Sequence, residues 1–239
     1  MIIHLDNDIF YIVKEGTKHI EVRLYDEKRR QLNIGDKLIF LKRPEDILKI
    51  NTIIKDLKVY SNFDELVKNY DIKDMYLENL TKEEFIKLLE RFYTKEDQEK
   101  YGVLAIDFEI QEKSCGAVVF NDNSEILLIK SNKGHWGIPK GHVEDNETEQ
   151  ETAIREVKEE TNIDIEILDG FRNCISYSPK LNTNKEVVFF IGKAINNELI
   201  NQESEVSIAK YFNIDEAMDI VTYENEKNII KKVKEYINK

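Results

Sequence analysis

Glu156, Glu159 and Glu160 lie within five positions of one another in the segment GHVEDNETEQETAIREVKEETNI, Gly141–Ile163. The segment holds eight carboxylates and two basic side chains in 23 positions. With Glu156 at zero on a helical wheel, Glu159 falls at about 300° and Glu160 at about 40°, so the three share a stripe about 100° wide. Ala153, Val157, Thr161 and Ile154 cover the adjacent arc, from about 60° to 160°. The stripe is therefore expected beside the buried face. Like charges four residues apart destabilise an isolated helix by roughly 0.2–0.5 kcal/mol, and the negative end of the helix macrodipole disfavours anions further. A divalent cation would remove both penalties, and hard cations such as Mg²⁺ take oxygen donors of this kind. A solvated acidic face is the alternative.

The wider spacing adds to this reading. Gly141, five residues, Glu147, seven residues and then REVKEETNI resembles the Nudix box, G-x5-E-x7-R-E-U-x-E-E-x-G-U, with U apolar. Arg155, Glu156, Val157, Glu159, Glu160 and Ile163 match it, and Asn162 stands where the family has glycine. Asn is the residue next best able to close a helix in the left-handed region. The resemblance implies a hydrolase of nucleoside diphosphates linked to another group, working with Mg²⁺ or Mn²⁺. It implies Glu156, Glu159 and Glu160 as metal ligands, with the Gly141 carbonyl as a fourth. Glu159 and Glu160 would also take part in catalysis. Glu147 and Arg155 would be supports, and Arg155, four residues before Glu159, can pair with it.

Residues 114–235, including GHWGIPKGHVEDNETEQETAIREVKEET and KEVVFFIGKA, resemble the asymmetrical dinucleoside-tetraphosphate hydrolases. These cut diadenosine tetraphosphate (Ap4A) into ATP and AMP. That resemblance implies His135, Lys140, Tyr177 and Lys185 as substrate contacts. Lys140 and His135 would meet phosphate oxygens, and the Tyr177 ring could stack on adenine. Trp136 is expected as core or cleft wall. A further carboxylate, as metal ligand or general base, is expected shortly before YFNIDEA; Glu205 fits best and Glu203 is second.

In the first half, EGTKHIEVRLYD carries Gly16, Lys18, Glu21 and Arg23 as G-x-K-x-x-E-x-R. This resembles the signature of the ASCH domain, a β-barrel related to PUA domains and proposed to bind RNA. It implies Lys18, Glu21 and Arg23 at the mouth of a cleft for a nucleotide or an RNA end. Without the resemblance the three read as an exposed salt-bridge ladder of little energetic weight.

The elements that must position these residues follow from patterning. IFYIV and KLIFL are β-rich, NIGDKL is a turn into a strand, and INTIIKDLKVY is a further strand. NFDELVKNY is helical, with Phe63, Leu66 and Val67 at helical spacing. TKEEFIKLLERFY opens on a Thr81–Glu84 capping box and aligns Phe85, Leu88, Leu89 and Phe92. YGVLAIDFEI closes this unit, and a break is expected near Glu109–Ser114. CGAVVF and EILLIKS then form a hairpin around NDNS. The acidic helix follows, then strands at IDIEILDGF, ISYS and KEVVFFIGKA, and two closing helices. The expected class is α+β: a PUA-like barrel with helices over 1–110, then a Nudix α/β/α fold with a mixed sheet over 111–239.

Composition bounds the function. A net charge of −12, with neither half basic, argues against non-specific nucleic-acid binding without a local basic patch. The sequence holds no long apolar run for a membrane span. Two cysteines build no disulfide framework, which favours the cytoplasm. The leading reading is Mg²⁺-dependent Ap4A hydrolysis. Two others are removal of pyrophosphate or a dinucleotide cap from RNA 5′ ends, with the first half holding RNA, and a nucleotide sensor without turnover.

Overall fold

A computed structural model of the chain describes residues 1–77 and 79–238. Two compact units emerge, one of Met1–Glu112 with Ser178–Asn184, the other of Lys113–Tyr177 with Lys185–Lys239. Helices and a mixed sheet give an α+β class. No described helix is long and apolar enough to cross a membrane.

The first unit runs β1 (Ile2–Leu5), α1 (Asn7–Lys14), β2 (Ile20–Leu24), β3 (Lys37–Lys42), β4 (Lys49–Tyr60), α2 (Phe63–Asn69), α3 (Ile72–Met75), α4 (Lys82–Glu90) and α5 (Lys95–Tyr101) into β5 (Val103–Phe120). β1 pairs parallel with β3. The order then continues antiparallel through β4 and β5 to β2. Alternation along β5 sets the two cores. Leu104, Ile106, Phe108 and Ile110 join the cluster that takes Phe10 and Val13 of α1. Val103 and Ala105 face Phe63, Leu66, Met75 and Phe85 of the later helices.

Two expectations change here. IFYIV forms α1, not a strand: Phe10 and Val13, three apart, are buried together, and tertiary packing outweighs the β preference of the branched residues. The Thr81–Glu84 capping box is present. Phe92, however, lies beyond the end of α4 at 72% exposure, so it leaves the stripe led by Phe85. The boundary between the units falls between Glu112 and Lys113, inside the expected Glu109–Ser114, and β5 runs through it unbroken: Val103–Glu112 serve the first unit and Lys113–Phe120 the second.

The second unit adds β6 (Ile126–Ser131), β7 (Trp136–Gly137), β8 (Lys140–His142), α6 (Glu149–Thr161), β9 (Ile165–Tyr177), β10 (Thr183–Ala194), β11 (Val206–Phe212), α7 (Ile214–Ile220) and α8 (Glu224–Ile237). IDIEILDGF and ISYS are one strand, β9. Alternation again divides the core. Val118, Ile126, Leu128, Val187 and Phe189 pack with Ala217, Ile229, Ile230 and Val233 of α7 and α8. Ala117, Val119, Leu127, Val188 and Phe190 pack with Ala153 and Val157 of α6. The sheet thus lies between α6 on one face and α7 with α8 on the other.

Candidate active site

α6 is specified at both ends. The Thr148 hydroxyl accepts from the Glu151 N–H while the Glu151 carboxylate accepts from the Thr148 N–H, a capping box. Asn162 closes the helix at φ 61°, in the left-handed region, and its N–H returns to the Lys158 carbonyl. The buried residues are Thr152, Ala153, Val157, Glu160 and Thr161. Their arc is centred nearer Glu160 than expected, so Glu160 lies inside the buried face at 6% exposure and not beside it. Ile154, at the far edge of the arc, is 37% exposed and is not part of the packing face.

β8 is the companion element. Among the described residues it pairs only with β5, through Ser114–His142, Cys115–Gly141 and Gly116–Lys140. α6 lies against its other side. The Lys140 N–H donates to Glu160 Oε2 at 2.9 Å, and Arg155 Nη2 donates to the His142 carbonyl at 2.9 Å. Gly141 faces the Glu156 carboxylate so closely that an added Cβ would meet its Cδ at 2.1 Å. The flanking bonds, Val143 N–H to Lys113 O and Ala117 N–H to Pro139 O, fix the ladder's phase. That phase turns the Gly141 carbonyl toward β5, which leaves one lone pair for a further partner.

Arg155 binds the acids together. Its Nε and Nη2 donate to Glu147 at 2.6 and 2.9 Å, and its Nη1 donates to Glu156 at 2.8 Å and Glu159 at 3.1 Å. Thr152 also donates to Glu147 at 2.8 Å. The Arg155 guanidinium holds the Glu147 carboxyl down at about 2, and Glu147 in turn raises Arg155. Burial pushes the Glu156 carboxyl above its usual range, against the pull of Arg155. Burial pushes Glu160 up to about 8; Lys140 opposes this, and the charges of Glu156 and Glu205 add to it. Glu205 thus lies near enough to act on Glu160.

The fit to a metal follows from these groups. They are oxygen donors suited to a hard cation, and Glu160 is a buried carboxylate whose charged form lacks full compensation. Among the described residues, no three His, Cys, Asp or Glu side chains are already gathered to hold a metal. Arg155 draws Glu156 and Glu159 to itself, so their carboxylates would turn away from it to receive a cation.

The substrate-side residues divide. Lys140 and His142 alternate with Gly141, so they share the sheet face opposite α6. Lys185 and Tyr177 are directly paired across β10 and β9, and Tyr177 packs on the same core as α7 and α8. Lys185 Nζ approaches His142 Nε2 at 3.5 Å. Lys140, His142, Lys185 and Tyr177 are therefore on one face. His135 is exposed, its ring 5.3 Å from that of Tyr223. Trp136 is edge-on to Phe212 at 5.3 Å; its backbone N–H donates to Thr222 Oγ1 and its carbonyl accepts from the Thr222 N–H, as part of the wall. Glu205 is exposed in the turn before β11. Asn132 donates to the backbone carbonyls of Glu203 and Ser204 and fixes that turn.

Sequence reasoning missed two residues. Glu226, in the first turn of α8, accepts from Lys140 Nζ at 2.8 Å. Burial pulls the Lys140 ammonium down, but the charge and hydrogen bond of Glu226, with the charges of Glu160 and Tyr177, together raise it above its usual value. The sequence signal of Glu226 was a carboxylate in the apolar stripe Glu226, Ile229, Ile230 and Val233. His142 was the other, legible from its i,i+2 spacing to Lys140.

In the first unit, Lys18 and Glu21 do not form an exposed ladder. Both are 3% exposed. Lys18 Nζ reaches Glu21 Oε2 at 2.9 Å and the carbonyls of Ile20 and Met75 at 2.6 and 2.7 Å. Arg23 meets the other Glu21 oxygen at 2.7 Å. The order G-x-K-x-x-E-x-R turns Lys18 and Glu21 inward beneath α3, where each neutralises the other.

A sheet between one acidic helix and two closing helices, with the acids against a short glycine-bearing strand, defines the class of Nudix hydrolases. Comparison with known proteins agrees. The NUDIX domain model matches residues 111–233, and the chain belongs to this family. The ASCH domain model matches residues 3–112. Bis(5′-nucleosyl)-tetraphosphatase [asymmetrical] from Rattus norvegicus is 28% identical over 140 residues, covering 52% of this chain and 95% of the relative. Nudix hydrolase 5 of Arabidopsis thaliana is 30% identical over 120 residues, covering 47% of this chain and 40% of that protein. A crystal structure of a C. elegans Ap4A hydrolase binary complex is 27% identical, with a TM-score of 0.49, covering 53% of this chain and 98% of that one. The protein is a hydrolase acting on pyrophosphate bonds.

Proposed function

We propose that the second unit hydrolyses dinucleoside tetraphosphates, with Ap4A as preferred substrate and ATP and AMP as products, using Mg²⁺ or Mn²⁺. The observation that carries this is the set of donors on one sheet face: Lys140, His142 and Lys185 beside the Tyr177 ring. A long polyphosphate bridge needs several charge partners, and this face offers them within reach of a ring that can stack on a base. The asymmetrical tetraphosphatases among the relatives point the same way.

Glu156, Glu159, Glu160 and the remaining lone pair of the Gly141 carbonyl would hold the metal. When bound, the metal would neutralise phosphate charge and lower the pKa of water. Arg155 would orient Glu156 and Glu159, and Glu147 would fix Arg155. Lys140 and Lys185 would bind phosphate oxygens, and His135, exposed beside Tyr223, would add a donor at the entrance. Glu205 would take a proton from the attacking water, a role that requires hydrogen-bond reach. Hydrolysis of Ap4A in ¹⁸O-labelled water, with products separated by chromatography, tests this. Label in one of ATP and AMP is expected. Two molecules of ADP would refute the asymmetrical cut, and no turnover would refute the substrate.

A further inference from the structure

Lys140 is held by a group 86 positions away in sequence. Glu226 is 6% exposed at its side chain. Its Oε1 accepts from Lys140 Nζ at 2.8 Å and its Oε2 accepts from the Ile138 N–H at 2.8 Å. The approach requires Gly137: a Cβ there would meet Glu226 Oε2 at 2.7 Å. Lys140 Nζ also donates to the Ile138 carbonyl at 3.4 Å. An ammonium has three donors, so two are engaged and one remains. The side chain as a whole keeps 22% exposure, and the third donor is the one left for a ligand. A lysine on a free four-carbon stem would lose much rotamer freedom on meeting a phosphate. Here that freedom is already removed.

We propose that Glu226 is a positioning residue for polyphosphate binding: it fixes the Lys140 ammonium and the Gly137–Ile138 peptide before the ligand arrives, and acts through them. This rests on the reading that Lys140 meets phosphate. Glu226→Gln keeps the shape and an acceptor for the Ile138 N–H, but turns an amide donor or a neutral oxygen toward Lys140. The pin on the ammonium is then lost while the peptide stays held.

The experiment is a double-mutant cycle on the full chain with Glu226→Gln, Lys140→Met and the pair. Ap4A affinity is read by calorimetry in Ca²⁺, KM and kcat in Mg²⁺, and melting temperature alongside. Each single variant is expected to weaken Ap4A affinity by about tenfold, the scale of a lost charge-assisted hydrogen bond, with a rise in KM larger than the fall in kcat. In the Lys140→Met background, Glu226→Gln should change affinity by less than about twofold, because a residue acting through Lys140 has nothing left to act on. Glu226→Asp, which keeps the charge on a shorter side chain, should recover part of the loss. Additive losses that track melting temperature would make Glu226 a structural ion pair and overturn the proposal. Wild-type affinity in Glu226→Gln would also overturn it, while a weakened Lys140→Met would leave the substrate reading standing. Wild-type affinity in Lys140→Met would remove Lys140 from the site and the proposal with it. Wild-type binding of Ap4A without turnover would instead count against the proposed activity, and the cycle would still be read in affinity.

Discussion

Gly141→Ala tests the contact between β8 and the acidic helix. Gly141 has no positive φ, so alanine is compatible with the backbone, and the cost lies in space. The new Cβ would sit 2.1 Å from Glu156 Cδ and Oε2 and 2.3 Å from Oε1. Non-bonded atoms rest at about 3.5 Å, so the carboxylate must retreat by more than about 1 Å. Arg155 holds that carboxylate at 2.8 Å, and the retreat breaks or drags this pair. Misplacing a catalytic group by about 1 Å costs about 10²-fold in rate, and overpacking a filled site costs about 1–3 kcal/mol. Gly141→Ala is therefore expected to lower kcat for Ap4A about a hundredfold, to weaken Mg²⁺ activation, and to lower the melting point modestly. Adding Glu156→Ala should restore the melting point but not the activity. Turnover within about twofold of wild type in a folded Gly141→Ala enzyme would refute the placement of Glu156 at the reaction centre.

Other outcomes follow from the same geometry. The folded-state pKa of Glu160, about 8, lies above its ordinary value of 4.5. Without divalent metal, its contribution to stability is therefore present below about 4.5 and lost as pH rises through about 8. Glu160→Gln should flatten that fall in a melting series from pH 5 to 9 and reduce kcat by at least about 10²-fold; an unchanged slope would contradict the burial argument. Glu205→Gln should slow turnover more than Glu203→Gln, since Glu205 acts on Glu160, and equal rates would move the extra carboxylate elsewhere. Lys18→Ala leaves Glu21 buried with Arg23 alone and should destabilise the first unit by about 3–5 kcal/mol in chemical denaturation. A loss below about 1 kcal/mol would mean the ion pair is not holding that unit.

Much of this was legible in sequence, for identifiable reasons. The spacing of Gly141, Glu147 and Arg155–Glu160 is local, and Asn162 occupies the left-handed end that its chemistry allows. Strands β3, β4 and β5 follow from alternation. α1 was not legible: Ile9–Val13 favours a strand by composition, and the helix depends on Phe10 and Val13 packing against distant strands. The inward turn of Lys18 and Glu21 was hidden because charged residues are usually exposed, and part of what makes burial tolerable, the Met75 carbonyl of α3, is distant in sequence. Glu226 escaped because its partner is far away in sequence. What pointed to it, a carboxylate at the head of an apolar helical stripe, is visible once sought.

The measurement that separates the proposed activity from its rivals is kcat/KM for Ap4A against ADP-ribose, ATP and 5′-triphosphorylated RNA under one set of Mg²⁺ conditions. With Lys140, His142 and Lys185 arrayed beside Tyr177, Ap4A should exceed each of the others by at least about tenfold, because each added phosphate gains a charge partner. A higher kcat/KM for triphosphorylated RNA, or equal and feeble rates on all four, would contradict it.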